Sequence, residues 1–84
     1  MRDKAYYLRI LEYSPPYARI SITLAAAMVY AALYGECELE HRRTDEFKAI
    51  AQQLKSRYGC VLSVEKASEE MRNAINGNPE GKQL

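Results

Sequence analysis

The hydrophobic positions of the chain are concentrated in one central stretch, SPPYARISITLAAAMVYAALYG, which covers residues 14–35. From residue 24 to residue 34 the only polar side-chain groups are tyrosine hydroxyls, and five alanines favour a helix over a strand. A helix that is apolar on every side has to be covered on every side. We therefore expect the rest of the chain, a second copy of it or a partner to pack around this helix.

The flanking residues predict where the central helix begins and ends. Ser14 is interpreted as its N-cap, because Pro15 holds Ser14 in extended geometry and prolines suit a first helical turn. Gly35 is the expected C-terminal residue, since glycine readily adopts left-handed backbone. The alternating run of residues 19–24 could form a short strand. A continuous helix is nevertheless predicted, because helical spacing also relates Ile20, Leu24, Met28 and Ala31.

Three further segments show the periodicity of amphipathic helices. In residues 3–13 apolar pairs recur four positions apart, which predicts a helix and leaves a strand as the alternative. A third helix is predicted between Thr44, as its N-cap, and Gly59. Its apolar stripe consists of Phe47, Ile50, Ala51, Leu54 and Tyr58. A fourth helix is predicted between Ser63, a second N-cap, and residues 76–77. The stripe of the fourth helix consists of Val64, Ala67, Met71, Ala74 and Ile75.

The connecting segments leave alternatives open. Residues 36–43, ECELEHRR, predict either a short strand or a charged connector, and residues 60–65, CVLSVE, either a link or a strand. Residues 78–84 have the composition of a disordered tail. The sequence therefore predicts a single, mainly α domain over residues 1–77, a small bundle of about four helices around the central apolar helix. With one or two short strands the fold would become α+β.

Length and charge restrict the possible functions. A chain of 84 residues makes one domain, and 12 Lys and Arg against 11 Asp and Glu provide no global field to attract nucleic acid or an acidic membrane. The uncharged residues 20–35 are fewer than the roughly 20 that a membrane-spanning helix needs, so no membrane span is predicted. Two cysteines and no recognisable signal peptide indicate a cytoplasmic protein with free thiols.

Side chains in catalytic or metal-binding arrangements are scarce. Cys37, His41 and Cys60 offer three possible zinc ligands, whereas a structural zinc site needs four. A nucleophile pair of Cys37 and His41 would need a buried, oriented histidine, and His41 lies between a glutamate and two arginines. Adjacent carboxylates at Glu69 and Glu70 point apart on a helix. We therefore predict that the protein is not an enzyme and holds no metal or cofactor.

Two binding functions from different classes remain. The leading hypothesis is a protein-protein interaction module, such as an inhibitor or a small regulator. The alternative is a DNA-binding regulator of helix-turn-helix type, built from the third and fourth helices. Basic residues that could contact phosphate in that case are Arg42, Arg43, Lys48, Lys55 and Arg57, and Asn73 and Asn76 could read bases. Nucleic acid binding is disfavoured because the recognition helix would carry Glu65, Glu69 and Glu70.

We expect the partner-binding surface at the end of the central helix and in the charged connector. The predicted partner-binding residues are Met28, Tyr30, Leu33, Tyr34, Arg42 and Arg43. The other helices are short, so part of the central helix should stay uncovered. Closed two-fold pairing is the commonest way to hide such a surface. A homodimer with residues 17–34 in the contact is therefore predicted, with a monomer covered by the first helix as the alternative.

Overall fold

The computed structural model describes residues 1–77, which contain four α-helices, one short 3-10 helix and one pair of short strands. The predicted disordered tail, residues 78–84, lies outside the described residues. In chain order the elements are α1 (Lys4–Glu12), β1 (Arg19–Ser21), α2 (Ile22–Tyr34), a 3-10 helix (Leu39–Arg43), α3 (Asp45–Tyr58), β2 (Val61–Ser63) and α4 (Val64–Asn76). The predicted fold class, a small mainly α bundle, is confirmed, and it also contains the two short strands that the α+β alternative included.

The predicted start of the central helix at Ser14 is wrong. The N-cap of α2 is Ser21, whose Oγ accepts a hydrogen bond from the Leu24 amide at 3.1 Å. Ser14 belongs to the end of α1, where its hydroxyl donates a hydrogen bond to the Ile10 carbonyl at 2.7 Å. The serine before the two prolines therefore ends one helix and does not begin the next.

Residues 19–21 are a strand and not part of a continuous helix, because they pair with a distant segment. The two strands are antiparallel, with the register Arg19↔Ser63, Ile20↔Leu62 and Ser21↔Val61. The Ile22 amide extends the pairing by donating to the Cys60 carbonyl at 3.1 Å, and the Val64 amide donates to the Ala18 carbonyl at 2.7 Å. The strand that the sequence offered as an alternative within residues 60–65 is confirmed as β2.

The helix ends that depend on local signals are where the sequence predicted them. Thr44 caps α3 by accepting a hydrogen bond from the Phe47 amide at 3.1 Å, and Ser63 caps α4 by accepting one from the Lys66 amide at 3.2 Å. Gly35 and Gly59 follow α2 and α3 with φ of +101° and +90°. A side chain would be strained at both glycines, so these two positions end their helices sharply.

The charged segment after α2 contains a short 3-10 helix and connects the N-terminus to the bundle. Glu36 makes one antiparallel bridge with Asp3, and the Cys37 amide donates to the Arg2 carbonyl at 2.9 Å. The Arg2 amide donates to the Glu38 carboxylate at 2.8 Å. Neither predicted form of residues 36–43 describes this segment fully, since it contains a bridge residue and a short helix.

The core lies around α2, which packs against α1, α3 and α4 of the same chain. Ala26, Ala27 and Met28 are fully buried, and only Thr23 and Tyr34 of the helix are classed as exposed. Small alanine side chains let the neighbouring helices approach the α2 backbone closely. The chain therefore covers most of its own central helix. Among the described helices, none has the length and apolar character needed to cross a membrane.

Candidate functional site

A cluster of aromatic rings occupies the C-terminal end of α2. The Tyr30 ring lies 4.6 Å from the Tyr34 ring, 5.5 Å from the His41 ring and 6.1 Å from the Phe47 ring, measured between ring centres. Tyr30 and Phe47 are buried, whereas Tyr34 is 55% exposed. The cluster therefore joins α2, the 3-10 helix and α3, and it presents one tyrosine to solvent.

The 3-10 helix is held in place by a hydrogen bond to its histidine. The Glu38 amide donates to Nδ1 of His41 at 2.9 Å, while the His41 ring stacks on Tyr30 at an angle of 22°. The neighbouring Leu39 is 64% exposed and, together with Glu40 and Arg43, lines a shallow depression. We refer to Leu33, Tyr34, Leu39, Glu40 and Arg43 as the aromatic edge.

The structure divides the six residues that the sequence predicted for partner binding. Met28 and Tyr30 are core residues, with Met28 0% exposed, so they offer no surface in the folded chain. Tyr30 contacts the 3-10 helix through His41 and α3 through Phe47. The sequence pattern could not show which positions of α2 are buried, because the helix is apolar on all sides. Leu33 is half-buried, and Tyr34 and Arg43 are exposed. Leu39 was not predicted, although its place between two glutamates in the sequence is typical of an exposed residue.

Arg42, the sixth predicted residue, is half-buried and faces the chain's own interior. It interacts with the Tyr7 hydroxyl and the Cys37 thiol, both of which are almost fully buried. Burial raises the pKa of both groups, and the Arg42 charge opposes that shift without cancelling it. Both groups therefore stay neutral at ordinary pH. Nε of Arg42 is shielded from solvent and has no hydrogen-bond partner within residues 1–77.

A cleft of about 470 Å³ lies between the first turn of α2 and one side of α3. Its charged lining residues are Arg42, Lys48 and Lys55. The polar and apolar lining includes Ser21, Thr23, Phe47, Ala51 and Gln52. We call this the basic cleft. It brings together three of the five residues that the sequence suggested for phosphate contacts.

The other two residues of that set lie elsewhere. Arg43 belongs to the aromatic edge, and Arg57 forms an ion pair with Glu70 at 2.6 Å that joins α3 to α4. The Tyr58 hydroxyl donates to the same carboxylate at 2.6 Å, and this hydrogen bond is the main reason that the pKa of Tyr58 is raised. Glu70 therefore stabilises the packing of two helices.

Zinc binding or nucleophilic catalysis would involve Cys37, His41 and Cys60. Cys37 is buried at the N-terminus of the 3-10 helix, and Cys60 is exposed before β2. His41 uses Nδ1 to accept a backbone hydrogen bond. Within residues 1–77 the structure contains no group of three or more His, Cys, Asp or Glu side chains that could hold a metal ion.

The chain matches no protein-family model, no curated protein sequence and no solved structure closely enough to identify a relative.

Proposed function

We propose that the chain is a small, non-enzymatic protein-binding module and that it forms a homodimer through the aromatic edge. The observation that carries the proposal is that the aromatic cluster links the exposed Tyr34, through Tyr30 and His41, to the 3-10 helix. On that helix the exposed Leu39 lies beside the oppositely charged Glu40 and Arg43. Protein interfaces commonly have such a composition, with an apolar and aromatic centre and a polar rim.

The aromatic centre of this surface is already ordered in the free chain. The Tyr34 ring rests on the buried Tyr30 ring, which is in turn fixed by contacts with His41 and Phe47. A side chain that is held before binding loses little conformational freedom when a partner covers it. Tyrosines of this kind are frequent among the residues that contribute most to binding free energy.

A second copy of the chain is the partner that the charges support. In a two-fold interface the same patch lies on both sides, so a patch that contains both signs of charge can complement itself. Glu40 of each copy would then lie opposite Arg43 of the other. The net charge of +1 per chain adds only a weak repulsion to this contact.

The alternative from the sequence, a DNA-binding regulator of helix-turn-helix type, has less support. α3 and α4 are joined by strand β2, which is not the tight turn of that motif. The exposed part of α4 begins with Glu65, and Glu70 is held by Arg57. We therefore place DNA binding second.

The dimer is tested by light scattering coupled to size exclusion at tens of micromolar protein. We expect the wild-type chain to elute with about twice the 9.6 kDa mass of one chain. Replacing both apolar side chains, Tyr34→Ser with Leu39→Ser, should give a monomer that keeps its helical circular dichroism. Tyr13→Ser is the control, because Tyr13 is 82% exposed and lies away from the aromatic edge. It follows the C-terminal end of α1, whereas the N-terminal end of α1 is the one beside the end of α2.

A charge exchange tests the two-fold geometry itself. Arg43→Glu alone should weaken the dimer. The glutamate introduced in each copy would then lie opposite Glu40 of the other copy, and the two negative charges would repel each other. Combining it with Glu40→Arg should restore the dimer by reversing both signs. A wild-type mass near that of one chain would refute the proposal, and so would a dimer that Tyr13→Ser disrupts and the edge variants do not.

A further inference from the structure

We propose that the basic cleft binds the phosphate group of a small organic ligand. Its cationic side chains and the N-terminus of α2 would hold the phosphate, and its apolar wall would contact the rest of the ligand. This inference does not depend on the proposed function, because the cleft and the aromatic edge share no residue.

Three cations from two elements line the cleft. Lys48 and Lys55 are two helical turns apart on the same side of α3, and Arg42 comes from the 3-10 helix. None of the three forms an ion pair in the part of the chain that the structure describes, and none of the described lining residues is acidic. The three positive charges repel one another, and a dianion bound between them would relieve this repulsion and be attracted by all three side chains.

Arg42 contributes a positive charge to the cleft that it lines. Its guanidinium group interacts with Tyr7 and Cys37 in the interior, and its Nε is shielded from solvent, so a ligand in the cleft would not bond to that nitrogen. Because Tyr7 and Cys37 are both neutral, they do not compensate the charge of Arg42, and that charge would attract a phosphate bound nearby.

The first turn of α2 adds backbone donors at the rim of the cleft. The Ile22 amide is bonded to the Cys60 carbonyl and the Leu24 amide to Ser21 Oγ. The Thr23 amide between them has no acceptor within the helix, and Thr23 lines the cleft. Helix N-termini carry a partial positive charge, so this amide and the Thr23 hydroxyl are suited to a phosphate oxygen.

The size and the second wall of the cleft favour a small molecule over a polymer. A volume of about 470 Å³ lies within the range of roughly 300 to 1,000 Å³ that is usual for small-molecule sites. Phe47 and Ala51 give the cleft an apolar side against which an aromatic or aliphatic group could pack. A nucleotide-sized ligand with one phosphate end has the matching chemistry.

The test is a titration of the full chain followed by the NMR shifts of its backbone amides. The probes are adenosine monophosphate, inorganic phosphate and adenosine, which separate the phosphate from the apolar part. We expect adenosine monophosphate to shift the amides of Thr23, Lys48 and Lys55 and to bind more tightly than inorganic phosphate. Adenosine should bind far more weakly than its monophosphate.

Two pairs of lysine substitutions separate a specific site from general attraction to positive charge. Lys48→Gln with Lys55→Gln should weaken binding of adenosine monophosphate about tenfold, which corresponds to two ion pairs of moderate strength. Lys4→Gln with Lys66→Gln removes the same charge from α1 and α4 and should leave the affinity almost unchanged. Thermal melts would verify that both double variants are folded.

Three results would overturn the assignment. The first is that adenosine binds as tightly as its monophosphate, and the second is that the control pair weakens binding as much as the cleft pair. The third is that a single-stranded oligonucleotide shifts the cleft amides while adenosine monophosphate does not, which would identify nucleic acid as the ligand.

Discussion

Removing one oxygen atom from Tyr7 should destabilise the protein substantially. The Tyr7 hydroxyl donates a hydrogen bond to the Cys37 carbonyl at 3.0 Å, and both residues are 1% exposed. This bond fixes α1 to the segment after α2, across the site where Arg42 approaches both residues. Tyr7→Phe keeps the ring and its packing and removes only the donor.

The expected loss follows from the burial of the acceptor. In the variant the Cys37 carbonyl cannot reach water without opening the N-terminal segment, and a buried acceptor left without a donor costs about 1 to 3 kcal/mol. A loss of about 2 kcal/mol is large for a chain of 84 residues, whose total free energy of unfolding should be about 4 to 13 kcal/mol. For this size it corresponds to a fall in melting temperature of about 10 °C.

Urea unfolding monitored by circular dichroism measures this loss. With a slope of about 1 kcal/mol per molar urea, the midpoint of Tyr7→Phe should fall by about 2 M. Tyr6→Phe is the matched control, because Tyr6 is adjacent, only half-buried and forms no side-chain hydrogen bond in the described part of the chain. If the two variants lose the same stability, or if Tyr7→Phe loses less than about 0.5 kcal/mol, the Tyr7 hydroxyl does not have this role.

Two further predictions concern a helix cap and pH. Ser21→Ala should cost about 1 kcal/mol in the same urea melts, since it removes the N-cap of α2, while Ser14→Ala should cost less than half as much. Equal losses would contradict the observed helix start. Because the folded state raises the pKa of Tyr7 and Tyr58, the unfolded state loses these protons first, so the stability they contribute is present below about pH 10 and declines as the pH rises further. The decline should be smaller in Tyr7→Phe, and an unfolding free energy that stays constant from about pH 9 to about pH 11 would refute the linkage.

The sequence predicted those elements whose signals are local. Thr44, the apolar stripe that follows it and Gly59 each indicate α3, and all three lie within or next to the helix that they define. Ser63 and the stripe of α4 are equally local. The start of α2 was misplaced because two local signals were ambiguous. Ser14 before two prolines has the properties of an N-cap, and the residues of β1 fit both a strand and a helix.

Pairing with a distant segment decides the structure of residues 19–21. Each strand is only three residues long and would not be stable alone, so its conformation depends on the other. The partner of Ser21 is Val61, far along the chain, and no periodicity within either segment specifies that register. The sequence predicted each strand only as an alternative. The strand conformation is adopted because the two segments pair with each other in the folded chain.

The sequence predicted only part of the candidate surfaces, because these surfaces also depend on how distant segments pack together. The charges of Arg42, Lys48 and Lys55 are visible in the sequence, yet their common cleft results from the way the 3-10 helix packs beside α3. Met28 and Tyr34 have similar apolar contexts in the sequence. One is 0% and the other 55% exposed, because α3 and α4 cover the middle of α2 and leave its end.

The burial of α2 restricts a dimer contact to the C-terminal end of this helix. An uncovered helix face would have required a partner along the whole of residues 17–34, but α1, α3 and α4 already cover most of that surface. What remains exposed at the C-terminal end is the edge of an aromatic cluster whose base is fixed inside the chain. Association at this edge would leave the core unchanged, so the monomer should fold by itself. Dissociation and unfolding should then be separate events, in contrast to a dimer whose chains share one core.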